Sequence, residues 1–497
     1  MKISSKHQNV QTISYMDFSG GLNTNDTPEN IQQNELSKSV NVEIYKGQLK
    51  TVAGTTNLYY QEDGTFTDLI YDSIGGAFLM VDGERDVYKV GEELTKVGTL
   101  TGSDDVVYAA WEDGVLIASG GKLQYYHSNA LETLSDSPAV CMGVFIKSGR
   151  VWVYHEDRLE CSGVGDKTQW EHDSNDESKA QWVDIGYKDG GVIMGVTTLS
   201  SDTIIFKSNS HAYHLAGDYP NWSINEIGRQ IHCKCYNGCV ALVNNAIAIG
   251  RSSVQAIGVT DSYGDMQATN IASKIYGDIC ALPATIKPRY IPQLNQIWVL
   301  QDSKQFLFYD ANVGGWYYRK FNSPVMDVVE AEGTVYILKP TGLYMMDTTH
   351  MKDDGEPMQW MFHLQNILAN NRLLIKRVWV DTTPLHNEYC AAKFRIGGVG
   401  IEAAQPDTAY ELYENEAYLY DSDLPLWPPG KSSMYSNSEE LYDSPEPLYD
   451  SDLPLLAPEM YRAEKRCCDN RKSVQVRGLG EGGMTIINNI SFNIVEV

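Results

Sequence analysis

The stretch Asp113-Gly114-Val115-Leu116-Ile117-Ala118 joins a two-residue turn signal to an apolar run. Gly tolerates the positive φ that tight hairpin turns require, and a short apolar run after such a turn predicts a strand. The same combination recurs from Tyr71 to Leu364, for example where Val151-Trp152-Val153-Tyr154 follows Ser148-Gly149. This recurrence indicates a series of antiparallel β-hairpins.

Seven such turns punctuate the repeats. They are Asp82-Gly83, Asp113-Gly114, Ser148-Gly149, Ser201-Asp202, Asn244-Asn245, Leu294-Asn295 and Glu332-Gly333. Successive turns lie about 30 to 50 residues apart, which is the length of one four-stranded blade of a β-propeller. A single blade cannot cover both of its apolar faces, so blades are stable only when they stack around an axis. The sequence therefore predicts an all-β protein with a six- to seven-bladed β-propeller at residues 61–365.

The remaining residues are predicted to form three other regions. Residues 1–60 are expected to be an N-terminal arm with a short helix from Thr27 to Ser39 and a hairpin around Lys46-Gly47. Residues 366–401 and 460–497 contain apolar runs that predict a C-terminal β-domain. Residues 402–459, rich in Tyr, Pro, Asp and Glu, are interpreted as a long acidic insertion in that domain.

The charge of the chain argues against a nucleic-acid groove. There are 39 Lys and Arg against 65 Asp and Glu, which gives a formal net charge of −26. DNA binders neutralise phosphates with basic side chains, so DNA would be repelled by this chain at close range. Repulsion suits a wall along which DNA slides without sticking, but solubility alone explains the same composition.

No motif in the sequence predicts catalysis, a cofactor or a metal site. The nine cysteines are scattered and follow no secretion signal, so reduced thiols are expected. Cys233, Cys235 and Cys239 could offer soft ligands to zinc, but a second cluster at a matching interval is missing, which favours buried thiols. No apolar run is long enough to span a membrane, and the chain is expected to remain in the cytoplasm where it is made.

The acidic insertion contains a near-duplicate that provides the candidate interaction residues. The segment Leu419-Tyr420-Asp421-Ser422-Asp423-Leu424-Pro425-Leu426 recurs as Leu448-Tyr449-Asp450-Ser451-Asp452-Leu453-Pro454-Leu455. Tyrosines are enriched in protein interfaces, whereas purely solvating segments contain few aromatics. The composition thus favours docking or channel lining over an inert loop, with candidate residues Tyr420, Asp421, Asp423, Tyr449, Asp450 and Asp452.

The N-terminal residues resemble a known family. The chain reads Asp17-Phe18-Ser19-Gly20-Gly21-Leu22-Asn23, then Thr27-Pro28, Asn34-Glu35-Leu36, Asn41-Val42 and Gly47-Gln48-Leu49. This pattern is similar to the opening of the tail nozzle, tail tubular and packaged-DNA-stabilising proteins of short-tailed bacteriophages. The layout of arm, propeller and C-terminal strands agrees with that family. The family pattern continues with a basic residue before Pro-Gly, where this chain has Val52-Ala53-Gly54.

The resemblance implies a structural, non-enzymatic role in the virion. It implies a homo-oligomeric ring, expected to be a hexamer, that is assembled in the host cytoplasm and sits at the distal end of a short tail. Such a ring retains packaged DNA, passes the duplex during ejection without binding it specifically, and contacts tail adaptor and tail fibre or needle proteins. Two other classes stay open, namely a glycan-acting propeller enzyme and a monomeric propeller scaffold.

Overall fold

The computed structural model describes residues 10–173, 175–199, 202–259, 266–385, 391–404 and 461–496. The chain divides into two compact units: Thr56–Met346 is one, and Met1–Thr55 with Asp347–Val497 is the other. Strands dominate both units. The helical elements among the described residues are a 3-10 turn at Ser273–Ile275 and helix α1 at Tyr276–Ala281. No helix in this described part is long and apolar enough to cross a lipid bilayer.

The N-terminal residues form short strands. These are β1 (Gln11–Tyr15), β2 (Gly21–Leu22), β3 (Glu35–Leu36), β4 (Lys38–Val40), β5 (Val42–Tyr45), β6 (Gln48–Thr51) and β7 (Gly54–Tyr60). β2 and β3 pair in parallel, whereas β5 and β6 form a hairpin. Its turn residues Lys46 and Gly47 have φ values of 53° and 82°, the left-handed conformation that this hairpin turn needs.

The helix predicted from Thr27 to Ser39 is wrong, because that stretch contains turns followed by β3 and β4. A helix of about a dozen residues is only marginally stable in water, so tertiary contacts decide the local conformation. Here the Pro28 carbonyl accepts a hydrogen bond from the Asn366 backbone amide at 2.7 Å. The Asn366 side chain donates to the Glu29 carboxylate, also at 2.7 Å. These bonds hold the stretch in its turn conformation.

Seven four-stranded antiparallel sheets are found in the described part of the unit Thr56–Met346. The first two are β8 (Phe66–Asp72), β9 (Ala77–Asp82), β10 (Asp86–Lys89), β11 (Thr95–Thr99), and β12 (Val107–Trp111), β13 (Gly114–Ala118), β14 (Gln124–His127), β15 (Ala130–Thr133). The next two are β16 (Gly143–Lys147), β17 (Arg150–His155), β18 (Arg158–Cys161), β19 (Gln181–Asp184), and β20 (Ile193–Leu199), β21 (Asp202–Lys207), β22 (His211–Ala216), β23 (Ser223–Arg229). The fifth and sixth are β24 (Cys239–Leu242), β25 (Asn245–Ile249), β26 (Val254–Val259), β27 (Met266–Asn270), and β28 (Lys287–Ile291), β29 (Gln296–Leu300), β30 (Ser303–Asp310), β31 (Gly315–Val325). The seventh combines β32 (Asp327–Ala331), β33 (Thr334–Lys339) and β34 (Gly342–Asp347) with the N-terminal strand β7.

These sheets are the blades of a β-propeller, which confirms the predicted fold class. The first strands of successive blades contact one another from β12 to β32, and β32 contacts β8, so the first strands surround the axis. Apolar clusters join neighbouring blades: Val81 and Val87 of the first blade pack with Val115 and Ile117 of the second. β7 pairs with β34, so the last blade combines strands from the beginning and the end of the propeller sequence.

The predicted turns occupy the same position in each blade, with one exception in the first blade. From Asp113-Gly114 onwards, the turns that lie within the described residues connect the first strand of a blade to its second. Asp82-Gly83 instead connects the second strand of the first blade to its third. The first hairpin of that blade turns at residues 73–76, which include Gly75-Gly76.

The other unit is built on a nine-stranded sheet that unites the two ends of the chain. Its C-terminal part provides β35 (Lys352–Asp353), β36 (Glu356–Pro357), β37 (Gln359–Leu385), β38 (Ala391–Ile396), β39 (Val399–Ala404), β40 (Tyr461–Glu481) and β41 (Met484–Glu496). The sheet order is β39-β38-β40-β37-β41-β6-β5, with β1 paired to β41, β4 paired to β37, and β35 and β36 forming a separate hairpin. Four of the seven N-terminal strands, β1, β4, β5 and β6, are therefore part of the C-terminal sheet, whereas a separate N-terminal arm was predicted.

Candidate functional site

The predicted interaction residues belong to the acidic insertion. All six of them lie outside the described residues: Tyr420, Asp421, Asp423, Tyr449, Asp450 and Asp452. The described chain ends before them at Ala404 in β39 and resumes after them at Tyr461 in β40. Both of these strands pair with β38, so both ends of the insertion are attached to the same sheet.

A cluster of charged side chains around the propeller axis is the most concentrated polar site of the described residues. Three first strands build it: β8 contributes Asp68, β28 contributes Lys287 and Arg289, and β32 contributes Asp327. Lys287 and Arg289 are two residues apart, so both side chains lie on the same face of their strand. Pro288 between them is tolerated because the first strand is the edge of its sheet.

Asp68 is the centre of the first ion-pair group. Its Oδ1 lies 2.9 Å from the Lys287 ammonium, and its Oδ2 lies 3.3 Å from the Arg85 guanidinium. Oδ2 also accepts a hydrogen bond from the Thr67 hydroxyl at 2.8 Å. Burial alone would raise the pKa of Asp68, but Lys287, Thr67 and Arg85 together hold that pKa below its ordinary value. Both oxygens of this carboxylate are therefore engaged.

Asp327 and Arg289 form the second ion-pair group. The guanidinium donates two hydrogen bonds to the carboxylate, at 2.8 Å from Nε and 3.2 Å from Nη2. The backbone amide of Leu69 in the first blade donates to the same carboxylate at 3.2 Å. Burial and the nearby Asp327 charge raise the pKa of Tyr108 to about 12, so that phenol stays protonated at neutral pH. The two groups together connect the first, sixth and seventh blades.

Asp105 differs from the other carboxylates of the cluster. It precedes β12, and its side chain accepts no hydrogen bond from the described residues. Burial raises its pKa, opposed by the positive charge of Lys287 and reinforced by the negative charge of Asp68. Asp105 faces a cavity of about 250 Å³ that is also lined by Asp104, Asp302 and Arg85.

The arrangement is suited to holding blades together. A general base must reach a substrate proton, but both oxygens of Asp68 and of Asp327 already face charged or backbone donors of the protein. No group of three or more metal-ligating side chains stands together among the described residues. The chemical content of the cluster is thus a set of buried, mutually compensated charges with one protonatable carboxyl, Asp105.

Sequence reasoning missed this cluster, although a signal existed. Lys, Arg and Asp are almost never fully buried unless they are paired. Asp68, Lys287 and Asp327 occur within the apolar strand patterns of three different repeats, which suggests partners elsewhere in the chain. The sequence does not indicate which charges pair with one another, because Asp68 and Lys287 are separated by 219 residues.

The residues of the N-terminal motif are structural in their own unit. Phe18 is completely buried, and a Cβ atom on Gly20 would lie 2.8 Å from the Asn34 carbonyl oxygen. The Asn23 side chain donates a hydrogen bond to the buried Glu35 carboxylate at 2.9 Å. The motif thus requires a large apolar residue, a glycine and an amide at these positions for packing.

The three cysteines considered as zinc ligands lie close together without forming a metal site among the described residues. Cys233 is buried, and its thiol donates to the Cys235 carbonyl at 3.3 Å. Contact with Cys239, together with burial, raises the pKa of the Cys233 thiol well above its ordinary value.

No protein-family model and no curated protein sequence matches the chain. Solved structures with a similar fold include BamB from Moraxella catarrhalis, 10% identical with a TM-score of 0.38, covering 68% of this chain and 97% of that one. The WD40 domain of Neurospora crassa Pan2 is 9% identical with a TM-score of 0.39, covering 60% and 95%. The β-propeller domain of Myceliophteria thermophila Cps50 (Swd1) is 6% identical with a TM-score of 0.41, covering 60% and 99%. At these identities the similarity is one of fold only.

Proposed function

We propose that the chain is a structural component of a short bacteriophage tail, a nozzle-like ring that retains packaged DNA and forms the conduit for its ejection. The observation that carries this proposal is the N-terminal motif Phe18-Ser19-Gly20-Gly21-Leu22-Asn23, which resembles the opening of that family. The motif packs in the unit Met1–Thr55 with Asp347–Val497, where Phe18 is completely buried. There Ser37 donates a backbone hydrogen bond to the His363 carbonyl at 2.8 Å, at the start of the long strand β37.

The charged axial cluster supports a holding role. Ion pairs such as Lys287 with Asp68 and Arg289 with Asp327 satisfy one another across blades. Removing one partner of a buried pair is strongly destabilising, so both partners of each pair must be present for these blades to pack. A propeller that must stay closed under mechanical load benefits from such contacts.

The net charge supports a conduit for DNA. Each chain carries a formal charge of −26, and a closed ring of identical chains multiplies this charge. Physiological salt limits the reach of the field to about 8 Å, so the repulsion acts only at the wall. A duplex could then slide past without being held by specific contacts.

The acidic insertion supplies the proposed contacts with other tail proteins or with the lumen. Its duplicated boxes, with Tyr420, Asp421 and Asp423 in the first and Tyr449, Asp450 and Asp452 in the second, combine aromatic contact area with negative charge. Adaptor and fibre or needle proteins with basic surfaces are the partners that this chemistry would fit.

Native mass spectrometry and image averages of the purified chain test the proposal. We expect a closed ring with a central lumen, at a mass that is an integral multiple of 55.5 kDa. A chain that stays monomeric at every concentration, and also after addition of its neighbouring tail proteins, would count against the tail function.

A glycan-acting enzyme is the second candidate, and one observation favours it. Asp105 has a raised pKa and Asp68 a lowered pKa at the same cavity, and glycosidases use an acid and a carboxylate whose pKa values are separated in this way. The engaged oxygens of Asp68 argue against this reading. Release of sugars from envelope polysaccharides by the wild-type chain, abolished in Asp105→Asn, would establish the enzyme.

A further inference from the structure

Four adjacent strands of the nine-stranded sheet place basic residues in one row. Lys38 of β4 is directly opposite His363 of β37, which is opposite Arg477 of β40, which is opposite Arg395 of β38. Neighbouring strands are about 4.8 Å apart, so the row extends over about 14 Å. We call these four residues the cationic row.

The cationic row lies on the outer face of the sheet. Lys38 and Arg395 are exposed, and His363 and Arg477 are half-buried. The adjacent residues Phe362 and Phe394 point to the opposite face, where their rings lie 6.4 Å apart in the core. The row is therefore accessible to a ligand.

Three residues of the row have no ion-pair partner within the described residues. Like charges directly opposite each other destabilise a sheet, so such a row is costly without a counter-charge. Lys38, Arg395 and Arg477 form no ion pair and no side-chain hydrogen bond with any described residue. Burial lowers the pKa of His363, and so do the charges of Lys38 and Arg477 on either side. An anionic partner would remove this repulsion.

A strongly acidic part of the chain begins beside the row. Gly400, which is opposite Arg395, lies in β39, and this strand ends at Ala404. Residues 405–460 follow, with 13 Asp and Glu against the single Lys431, a net charge of −12. The chain resumes in β40, the strand that carries Arg477. The segment thus begins on a strand next to the row, whereas its other end, at Tyr461, lies 16 residues from Arg477 along β40, about 50 Å from the row.

We propose that the cationic row is the docking surface for the acidic segment, residues 405–460, of the same chain. Tethering gives such a segment a local concentration in the millimolar range, well above that of a free ligand. DNA is the competing polyanion, but a chain of net charge −26 repels it at close range. The proposal concerns the isolated chain and does not depend on the tail function.

Trypsin provides a specific probe, because Lys431 is the only basic residue in the acidic segment. In the full chain we expect slow cleavage after Lys431 that accelerates as salt is raised from about 0.05 to 0.5 M. In the double variant Arg395→Glu, Arg477→Glu we expect cleavage about fivefold faster or more at low salt, since two charge contacts become repulsive.

Two control variants separate docking from other effects. The double variant Lys304→Glu, Lys320→Glu makes the same charge change at exposed positions of the propeller. Trypsin should cleave it after Lys431 as slowly as it cleaves the wild type. Arg395→Lys with Arg477→Lys keeps the charge and should retain slow cleavage, which also shows whether the sheet tolerates substitution. Equal, salt-independent cleavage in all four proteins would overturn the proposal.

Further measurements distinguish the possible occupants. If the protection of Lys431 from trypsin does not change with protein concentration, docking within one chain is supported. If the protection increases with concentration, the segment binds a second copy of the chain, and the proposal is overturned. Anisotropy of a labelled DNA duplex tests the other polyanion. The proposal would also be overturned by the following combined result. The full chain binds DNA, the Arg395→Glu, Arg477→Glu variant does not, and Lys431 is cleaved rapidly in both proteins.

Discussion

Asp327 is the residue whose loss we expect to weaken the propeller most. It is almost fully buried and accepts two hydrogen bonds from the Arg289 guanidinium. Asp327→Asn would leave that cation without its counter-charge, and we expect the free energy of unfolding to fall by about 3 kcal/mol. Urea unfolding followed by tryptophan fluorescence measures this change.

Two variants control the interpretation. Asp86 pairs with Lys96 at the exposed surface of the first blade, so Asp86→Asn should barely move the urea midpoint. The double variant Arg289→Met, Asp327→Leu should lose less stability than Asp327→Asn, because neither charge is then left buried alone. Identical losses in Asp327→Asn and Asp86→Asn would show that the buried pair has no special role.

We expect Asp105 and Asp68 to affect the pH dependence of the free energy of unfolding with opposite signs. Burial raises the pKa of Asp105, so its ionised form opposes folding at neutral pH and its protonated form does not. Asp105→Asn should stabilise the protein at pH 7 and have no effect below the ordinary Asp pKa of about 3.9. The pKa of Asp68 is lowered, so Asp68→Asn should destabilise at pH 7, with the loss fading on acidification. Thermal unfolding at both pH values checks this, and a pH-independent effect would contradict it.

Residue-level sites were the least predictable part of the molecule. Local patterns identify strands and turns, but an ion pair between Asp68 and Lys287 depends on how the first and sixth blades meet. The cationic row depends on the register of four strands from distant parts of the sequence. Neither site leaves a contiguous motif that sequence reasoning could detect.

At the scale of elements, closure of the propeller depends on the strand β7 and on Gly342 beside it. Gly342 has a φ of 149°, and a Cβ atom there would lie 1.9 Å from the Tyr59 carbonyl oxygen of β7. We expect Gly342→Ala to cost about 3 kcal/mol or more, since strain and a backbone clash act together. Gly333→Ala is the matched control, because Gly333 also has a positive φ but open space around it. Hydrogen exchange should show β7 opening in Gly342→Ala alone; equal exchange in both variants would refute this role of Gly342.

The elements themselves were largely predictable. Short apolar runs and two-residue turns predicted the blade hairpins. The expected burial of one face alone was wrong for these runs, since strands such as β13 and β29 are buried at every residue between neighbouring blades. The helix from Thr27 to Ser39 failed because capping signals describe only local preference. In the folded unit, hydrogen bonds such as Asn366 to Pro28 outweigh that preference.

At the scale of the whole molecule, the acidic segment should be dispensable for folding. Its flanking strands β39 and β40 both pair with β38, and the core contacts of that sheet, such as Phe362 with Phe394, lie in the described residues. Replacing residues 405–460 with a flexible linker should leave the circular dichroism spectrum and cooperative unfolding unchanged. Loss of cooperative unfolding would show that the segment is part of the core. If the tail function is right, the variant should form rings that leak DNA or lose a partner.

We propose that this propeller is a component of a phage particle. Immunogold labelling of purified phage particles, combined with mass spectrometry of the same particles, tests it most directly. We predict that peptides of the chain are recovered from intact particles and that gold marks the distal end of a short tail. Particles that lack the chain, with all of it recovered as free monomer from the lysate, would contradict the account.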